Sequence, residues 1–192
     1  MSFLILGLLL LLGVHSTRIV ADDWRTAQVK RFGEGPWKGT VSLLSLAGLG
    51  LTAWGFSLAR QQPVVLWVPP VGMRHATELL TLIAFVLLAA TYVPRNAIKS
   101  RMHHPMLLAV KTWAFAHLLA NGRLADLVLF GAFLIWAIVG FIAARKRDRV
   151  AGTQYPAGTL GGSVAAAAIG IVAWAVFAFW LHGALIGVAP FG

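Results

Sequence analysis

The sequence predicts an all-α fold, a polytopic transmembrane helix bundle of about six spans. Three observations support this prediction: 59% of the residues are hydrophobic, only 11% are charged, and the mean hydropathy is +0.80. Soluble domains have about 45–50% apolar and about 25% charged residues. The apolar segments also follow one another with connections too short for a second domain, so we expect residues 1–192 to form a single transmembrane domain.

A spanning helix needs about 20 mostly apolar residues. The first apolar segment is not expected to be a removable signal peptide, because no Lys or Arg precedes it and no small-residue cleavage motif follows it. The six predicted spans are Ser2–Val20, Gly39–Ala59, Thr77–Val93, Pro105–Asn121, Leu124–Ala144 and Gly162–Ala189.

Small residues line one face of the second and sixth segments. They recur at spacings of three and four, which places them on the same side of a helix and lets a neighbouring backbone approach closely. We expect both faces to be helix contacts rather than a cofactor cleft. The residues are Ser45, Gly48, Thr52 and Gly55 in the second segment and Gly162, Ala166 and Gly170 in the sixth.

Positive charge alternates between the connections and predicts the orientation. The connections after the second and fourth segments carry Arg60, Arg74 and Arg123. The positive-inside rule places the more basic connections in the cytoplasm, so both termini are expected on the non-cytoplasmic side. The connections after the first, third and fifth segments hold twelve basic residues: Arg18, Arg25, Lys30, Arg31, Lys38, Arg95, Lys99, Arg101, Arg145, Lys146, Arg147 and Arg149.

Composition also excludes several functions. The net charge of +10 lies in short connections rather than on a soluble basic face, so nucleic acid is not an expected partner, whereas the lipid bilayer is. The chain has no cysteine, which removes disulfides, thiolate metal ligands and a cysteine nucleophile. No pair of acidic residues lies at membrane depth, so a carboxylate proton relay is not expected.

Ionisable and imidazole groups inside a membrane are costly and therefore functional candidates. Here they are His15, Lys111, His117 and His182. Lys111 can extend its ammonium group toward the cytoplasmic surface. His182 lies close to the outer interface and is expected to be in contact with water.

The fourth segment is the most informative stretch, because Trp113, His117 and Asn121 are spaced by four and share one helix face. His15 and His117 enter from helices that run in opposite directions, with a depth offset on the order of 5–10 Å. Neutral imidazole is a frequent haem-iron ligand, so the two histidines are a candidate ligand pair. Hydrogen bonds from each histidine to a neighbouring helix remain the alternative.

Several short runs together form a more specific pattern, which resembles the NnrU family of bacterial membrane proteins over nearly the whole chain. The stretch from His104 to Gly122 is the longest and most unusual of them. The runs are His15 and Ser16, Arg31-Phe32-Gly33-Glu34, Ser42 to Gly50, Leu66-Trp67-Val68-Pro69-Pro70, His104-Pro105-Met106, His117-Leu118-Leu119-Ala120-Asn121-Gly122, and Phe130-Gly131-Ala132-Phe133 with Trp136.

This resemblance implies a bacterial inner-membrane protein linked to denitrification, that is, to nitrite and nitric oxide metabolism. The same superfamily includes the plant cis-zeta-carotene isomerase, which binds haem b through two histidines. By motif, His15 and His117 are similar to those ligands, and His104 is the next candidate. The resemblance therefore implies haem b as cofactor, with Trp113 and Asn121 beside His117.

One position departs from the isomerase pattern, which has a cysteine one turn before the second histidine. This chain has Ala114 there, so a redox switch to thiolate ligation cannot operate. Three functions remain open. The first is a haem-b protein of nitrogen-oxide respiration with electron-transfer partners in the membrane. The others are a haem-dependent cis-trans isomerase of a polyene, and a non-catalytic accessory or assembly protein of a respiratory complex.

Overall fold

The computed structural model describes residues 1–191, so the last residue of the predicted domain 1–192 lies outside the described part. The described part is all-helical, which confirms the predicted fold class; the extended pairs Val65/Arg123 and Asn96/Thr159 are isolated bridges outside any strand. The helices are α1 (Ser2–Val20), α2 (Asp22–Phe32), α3 (Glu34–Gln61), α4 (Met73–Tyr92), α5 (Ala97–Met102), α6 (Pro105–Ala120), α7 (Leu124–Ala151), α8 (Leu160–Val176) and, after a π-helical turn at Phe177–Leu181, α9 (His182–Ile186).

Five helical units in residues 1–191 are long and apolar enough to cross a membrane, namely α1, α3, α4, α7 and the continuous unit Leu160–Ile186. The remaining predicted span corresponds to α6, which is apolar but has only 16 residues. At 1.5 Å per residue it is about 24 Å long, whereas the hydrocarbon core is about 30 Å thick. The sixth span therefore remains a prediction that depends on α6.

Two connections contain helices that hydropathy did not predict. The first holds α2, which is polar and lies between α1 and α3. The basic turn after α4 holds α5, whose N-terminus is capped by Asn96. The Asn96 side chain accepts from Lys99 N at 2.7 Å and donates to Ala90 O at 2.9 Å, so this buried amide also joins α5 to the end of α4.

Helix α1 packs antiparallel against α3 through the small residues predicted in the second segment. Gly48, Thr52 and Gly55 are buried in this contact. A Cβ atom added at Gly48 would lie 2.7 Å from the backbone nitrogen of Leu11, closer than any packed methyl group can stand. The absence of side chains at these glycines is therefore what allows α1 and α3 to pack closely.

The remaining helices pack in the order α1, α7, α6, α4 and α8, each against the next. Buried Leu4 and Leu8 of α1 pack with Ala125 of α7, and Leu108 of α6 packs with Leu87 of α4. Within residues 1–191, α1 and α6 do not pack directly against each other, because α7 lies against both. Helix α7 is therefore the support shared by the two helices that carry His15 and His117.

The polar connections gather at two ends of the bundle. Arg147 donates to Arg18 O at 2.9 Å and Thr159 N donates to Arg95 O at 2.7 Å, which joins the first, third and fifth connections at one end. We call this the basic end, since it contains the twelve basic residues counted above. At the opposite end, Leu124 N donates to Val64 O at 2.9 Å. The grouping agrees with the charge pattern, while the cytoplasmic assignment of the basic end remains a prediction.

Candidate functional site

His117 lies in the last turn of α6 and is half-buried. Its Nδ1 atom is 2.8 Å from the carbonyl oxygen of Trp113, and because a carbonyl only accepts, Nδ1 must carry the proton. No other hydrogen bond to this ring occurs within residues 1–191, so Nε2 keeps a free lone pair. The imidazole stacks on Phe130 of α7 with ring centroids 4.5 Å apart, which fixes its orientation.

Trp113 lies one turn before His117 on α6, and Asn121, which was predicted to be the last residue of this span, is the extended residue that follows the helix. Trp113 lies against Phe130 and Phe133 of α7, with centroid distances of 5.1 and 5.5 Å. The Asn121 side chain donates to the carbonyl oxygen of His117 at 2.8 Å. Asn121 therefore satisfies one of the carbonyls that the end of α6 leaves without a helical partner. Whether either side chain touches a cofactor remains a prediction.

His15 lies near the end of α1 and is exposed on the protein surface. Its Nδ1 atom is 2.9 Å from the carbonyl oxygen of Leu11, so this imidazole also carries its proton on Nδ1. The ring meets Trp136 of α7 edge to face, with centroids 6.2 Å apart. Nε2 of His15, like that of His117, has no hydrogen-bond partner among residues 1–191.

The two histidines thus contact the same helix at different depths. His15 lies at the level of Trp136 and His117 at the level of Phe130, positions that are separated by about 9 Å of helical rise. In the described residues, both imidazoles bond only to their own helix, which is not the bonding expected of side chains that join neighbouring helices.

His104 has different partners, since both of its neighbours belong to the basic end. Its Nε2 atom lies 2.8 Å from an oxygen of Asp148, and the same oxygen accepts from the Tyr155 hydroxyl at 2.8 Å. Next to them, Arg145 contacts Nδ1 of His103, whose ring lies 4.3 Å from that of Tyr155. We call these five residues the basic-end cluster.

Tyr155 of this cluster holds its proton more firmly than an ordinary phenol does. Burial, the hydrogen bond to Asp148 and the negative charge of that carboxylate together raise the pKa of Tyr155 to about 12. The phenol therefore stays protonated at physiological pH and ties the connection between α7 and α8 to the end of α7.

His103 adopts a positive φ of 71°, a conformation that costs energy for a residue with a side chain.

Two features of the site were not predicted from the sequence. Phe130 and Trp136 supply the aromatic rings against which the two imidazoles rest. The available signal was the depth of Trp136, because tryptophans usually lie at membrane interfaces rather than in the middle of a span. His182 was expected only to be in contact with water, but its Nδ1 also lies 2.6 Å from the carbonyl oxygen of Val188.

The donor set fits a haem better than a bare metal ion. Within residues 1–191, no group of three or more His, Cys, Asp or Glu side chains could hold an ion. His15 and His117 are two neutral imidazoles with free Nε2 atoms, and they are the residues that would hold a haem, because imidazole is a frequent ligand of haem iron. In metal sites, the second nitrogen of a histidine ligand usually donates to a carbonyl or carboxylate, as Nδ1 of His15 and of His117 does here.

Comparison with known proteins gives one match. A family model described as NnrU protein matches residues 3–190, which is nearly the whole chain. No curated protein matches the chain significantly. No solved structure does either.

Proposed function

This chain belongs to the NnrU family, and from that membership and the state of its histidines we propose that it is a haem-b-binding protein of the bacterial inner membrane that acts in nitrite and nitric oxide metabolism. The observation that carries the proposal is the hydrogen bonding of His15 and His117, which is the same in both residues. Each imidazole donates from Nδ1 to the carbonyl four residues earlier and leaves Nε2 free.

That state is the one that iron ligation requires, because a metal binds the unprotonated nitrogen of a neutral imidazole. The hydrogen bonds also hold the rings in a fixed orientation before any ligand arrives, which lowers the ordering cost of binding. Aromatic neighbours on α7 surround the candidate site with apolar surface, and Trp113 adds to it beside His117. An apolar, aromatic surrounding suits a flat macrocycle and keeps water away from it.

A haem held by His15 and His117 would supply one-electron transfer. The residues of this chain would hold the group from two helices and, through Phe130 and Trp136, restrict the movement of its ligands. An electron carrier in the membrane needs a redox partner there, so a respiratory membrane protein is the partner that the proposal implies. The association with denitrification depends on family membership and not on the site geometry.

The direct test is an absorption spectrum of the full chain, purified in detergent from cells with ample haem, before and after reduction with dithionite. We expect a Soret band and a sharpened visible band on reduction. The double variant His15→Ala/His117→Ala should lack both. His75→Ala is the matched control, because the side chain of His75 is 83% exposed at the opposite end of the bundle.

A wild-type protein that contains no haem under these conditions would contradict the proposal. It would favour the accessory or assembly function instead, and co-purification of partner subunits from native membranes would then be expected.

The physiological part needs a denitrifying bacterium that lacks its own member of the family. Expression of this chain should restore nitrite and nitric oxide consumption, and the double variant should not restore it. Equal rescue by both proteins would show that the histidines are unrelated to the physiological role.

A further inference from the structure

The side chain of Trp136 contains an unsatisfied donor. Among residues 1–191, its Nε1 atom is the one buried side-chain nitrogen or oxygen to which the structure gives no hydrogen-bond partner. An indole N–H can only donate, and a buried donor without an acceptor destabilises the folded protein. Such a group is rare enough in native proteins to need an explanation.

The depth of Trp136 removes the usual explanation. The residue lies about 18 Å along α7 from Leu124, by helical rise, and so near the middle of the span. Tryptophans at membrane interfaces donate to water and lipid head groups, but the hydrocarbon core offers neither. The acceptor that Trp136 needs at this depth is therefore either a buried water or an oxygen of a bound group.

The neighbour of this donor is His15, whose ring lies edge to face with the indole. Nε2 of His15 offers a lone pair without a partner, and Nε1 of Trp136 offers a proton without an acceptor. The two atoms are not hydrogen-bonded to each other in the described residues. The two neighbouring rings together therefore offer what a ligand with both a metal and an oxygen would use, since the metal takes the lone pair and the oxygen takes the proton.

We propose that the indole N–H of Trp136 donates a hydrogen bond to an oxygen atom of the group that binds at His15. The oxygen belongs either to a carboxylate side chain of haem or to a small nitrogen-oxide anion such as nitrite. Both are anionic oxygen acceptors, and hydrogen bonds to charged acceptors are the stronger kind. The identity of the group rests on the proposed function, whereas the state of the indole can be measured independently of it.

The experiment uses the full chain with ¹⁵N-labelled tryptophan in detergent and follows the Nε1–H resonances by NMR. Trp136→Phe keeps a ring beside His15 and removes the N–H, so it identifies the Trp136 signal. If that variant does not accumulate, Phe variants of the other seven of the eight tryptophans identify the signal by elimination. The probes are haem b, reduced so that low-spin iron is diamagnetic, and sodium nitrite added to haem-free protein.

We expect the Trp136 resonance to move to the hydrogen-bonded range with haem, with nitrite, or with both, and the responding probe identifies the source of the oxygen. If haem supplies it, Trp136→Phe should release haem roughly tenfold faster than the wild type, the effect of one lost hydrogen bond of about 1.4 kcal/mol. Trp180→Phe is the control and should release haem at the wild-type rate, because Trp180 is 69% exposed.

Three results would overturn the inference. If a Soret band appears and the Trp136 resonance responds to neither probe, Trp136 is not a ligand-binding residue while the haem proposal stands. A resonance that is hydrogen-bonded before any probe is added, and does not move, indicates a permanent water or lipid acceptor. If the protein takes up no haem and nitrite has no effect, both proposals fail. A response to nitrite without haem uptake supports the inference and contradicts only the haem proposal.

Discussion

The histidines within the membrane and those at the basic end differ in what their nitrogen atoms bind. His15 and His117 each use one nitrogen on their own helix and leave the other free. Nε2 of His104 donates to Asp148, and Nδ1 of His103 accepts from Arg145. Imidazoles at the basic end thus join α6, α7 and the following connection, whereas His15 and His117 bond only to their own helices.

This difference in bonding separates two histidines that lie in the same stretch of sequence. His104 and His117 both belong to the run that resembles the NnrU family. Because Nε2 of His104 donates to Asp148, only Nδ1 of this ring could bind a metal, and it would do so beside the charged side chains of the basic-end cluster. We therefore propose His15 and His117 as the ligands, and the assignment of His104 as a third candidate remains a prediction.

The largest expected effect contrasts three single variants. His15→Ala and His117→Ala should each lose most of the bound haem, because each variant removes one of the two proposed imidazole–iron bonds. His104→Ala should keep a wild-type Soret band per molecule of protein. The measurement is the haem-to-protein ratio after size-exclusion chromatography. Haem loss in His104→Ala with retention in His15→Ala would reverse the comparison.

A second prediction concerns the stability of the basic end. Asp148→Ala leaves His104 and Tyr155 without their shared acceptor, so we expect the free energy of unfolding to fall by about 1 kcal/mol. Denaturant unfolding in detergent would measure it. Glu34→Ala is the matched control, since the Glu34–Lys38 pair is exposed and such pairs contribute little. Equal destabilisation by both variants would show that the basic-end cluster has no special role.

The third and smallest effect is a dependence on alkaline pH. The phenol of Tyr155 has a pKa of about 12 in the folded protein and about 10 when unfolded. Because the folded value is the higher one, its contribution is complete below pH 10 and is lost as the pH rises toward 12. Tyrosinate absorbance in a Tyr92→Phe background reports Tyr155 alone. Adding Asp148→Asn should lower the pKa, and an unchanged titration would contradict the account.

Much of the fold could be predicted because membrane burial leaves a strong hydropathy signal. The bounds of α1 and the start of α6 at Pro105 agree with the prediction. Helices α3 and α7 extend beyond their predicted ends, to Glu34 and Ala151, because helical turns outside the bilayer contain polar residues. Helices α2 and α5 were missed for the same reason, since neither contains an apolar run.

The sequence predicted which site residues lie close together along one helix, but not which helices contact each other. The four-residue spacing of Trp113, His117 and Asn121 predicted that they lie close together, because helical geometry is local. That α7 lies against both α1 and α6 depends on how the spans pack, which a single sequence does not specify. The contacts of Trp136 with His15 and of Phe130 with His117 follow from that packing.

Low-temperature EPR of the oxidised, purified protein tests most directly whether two imidazoles from separate helices hold one iron. We expect a low-spin ferric signal of the kind that two nitrogen ligands give, and a high-spin signal from the fraction of haem that His15→Ala retains. A companion variant, His182→Ala, should keep the low-spin signal, because Nδ1 of His182 lies 2.6 Å from the carbonyl oxygen of Val188 in its own C-terminal segment. A high-spin wild type, or a low-spin signal lost in His182→Ala and retained in His15→Ala, would contradict the pairing of His15 with His117.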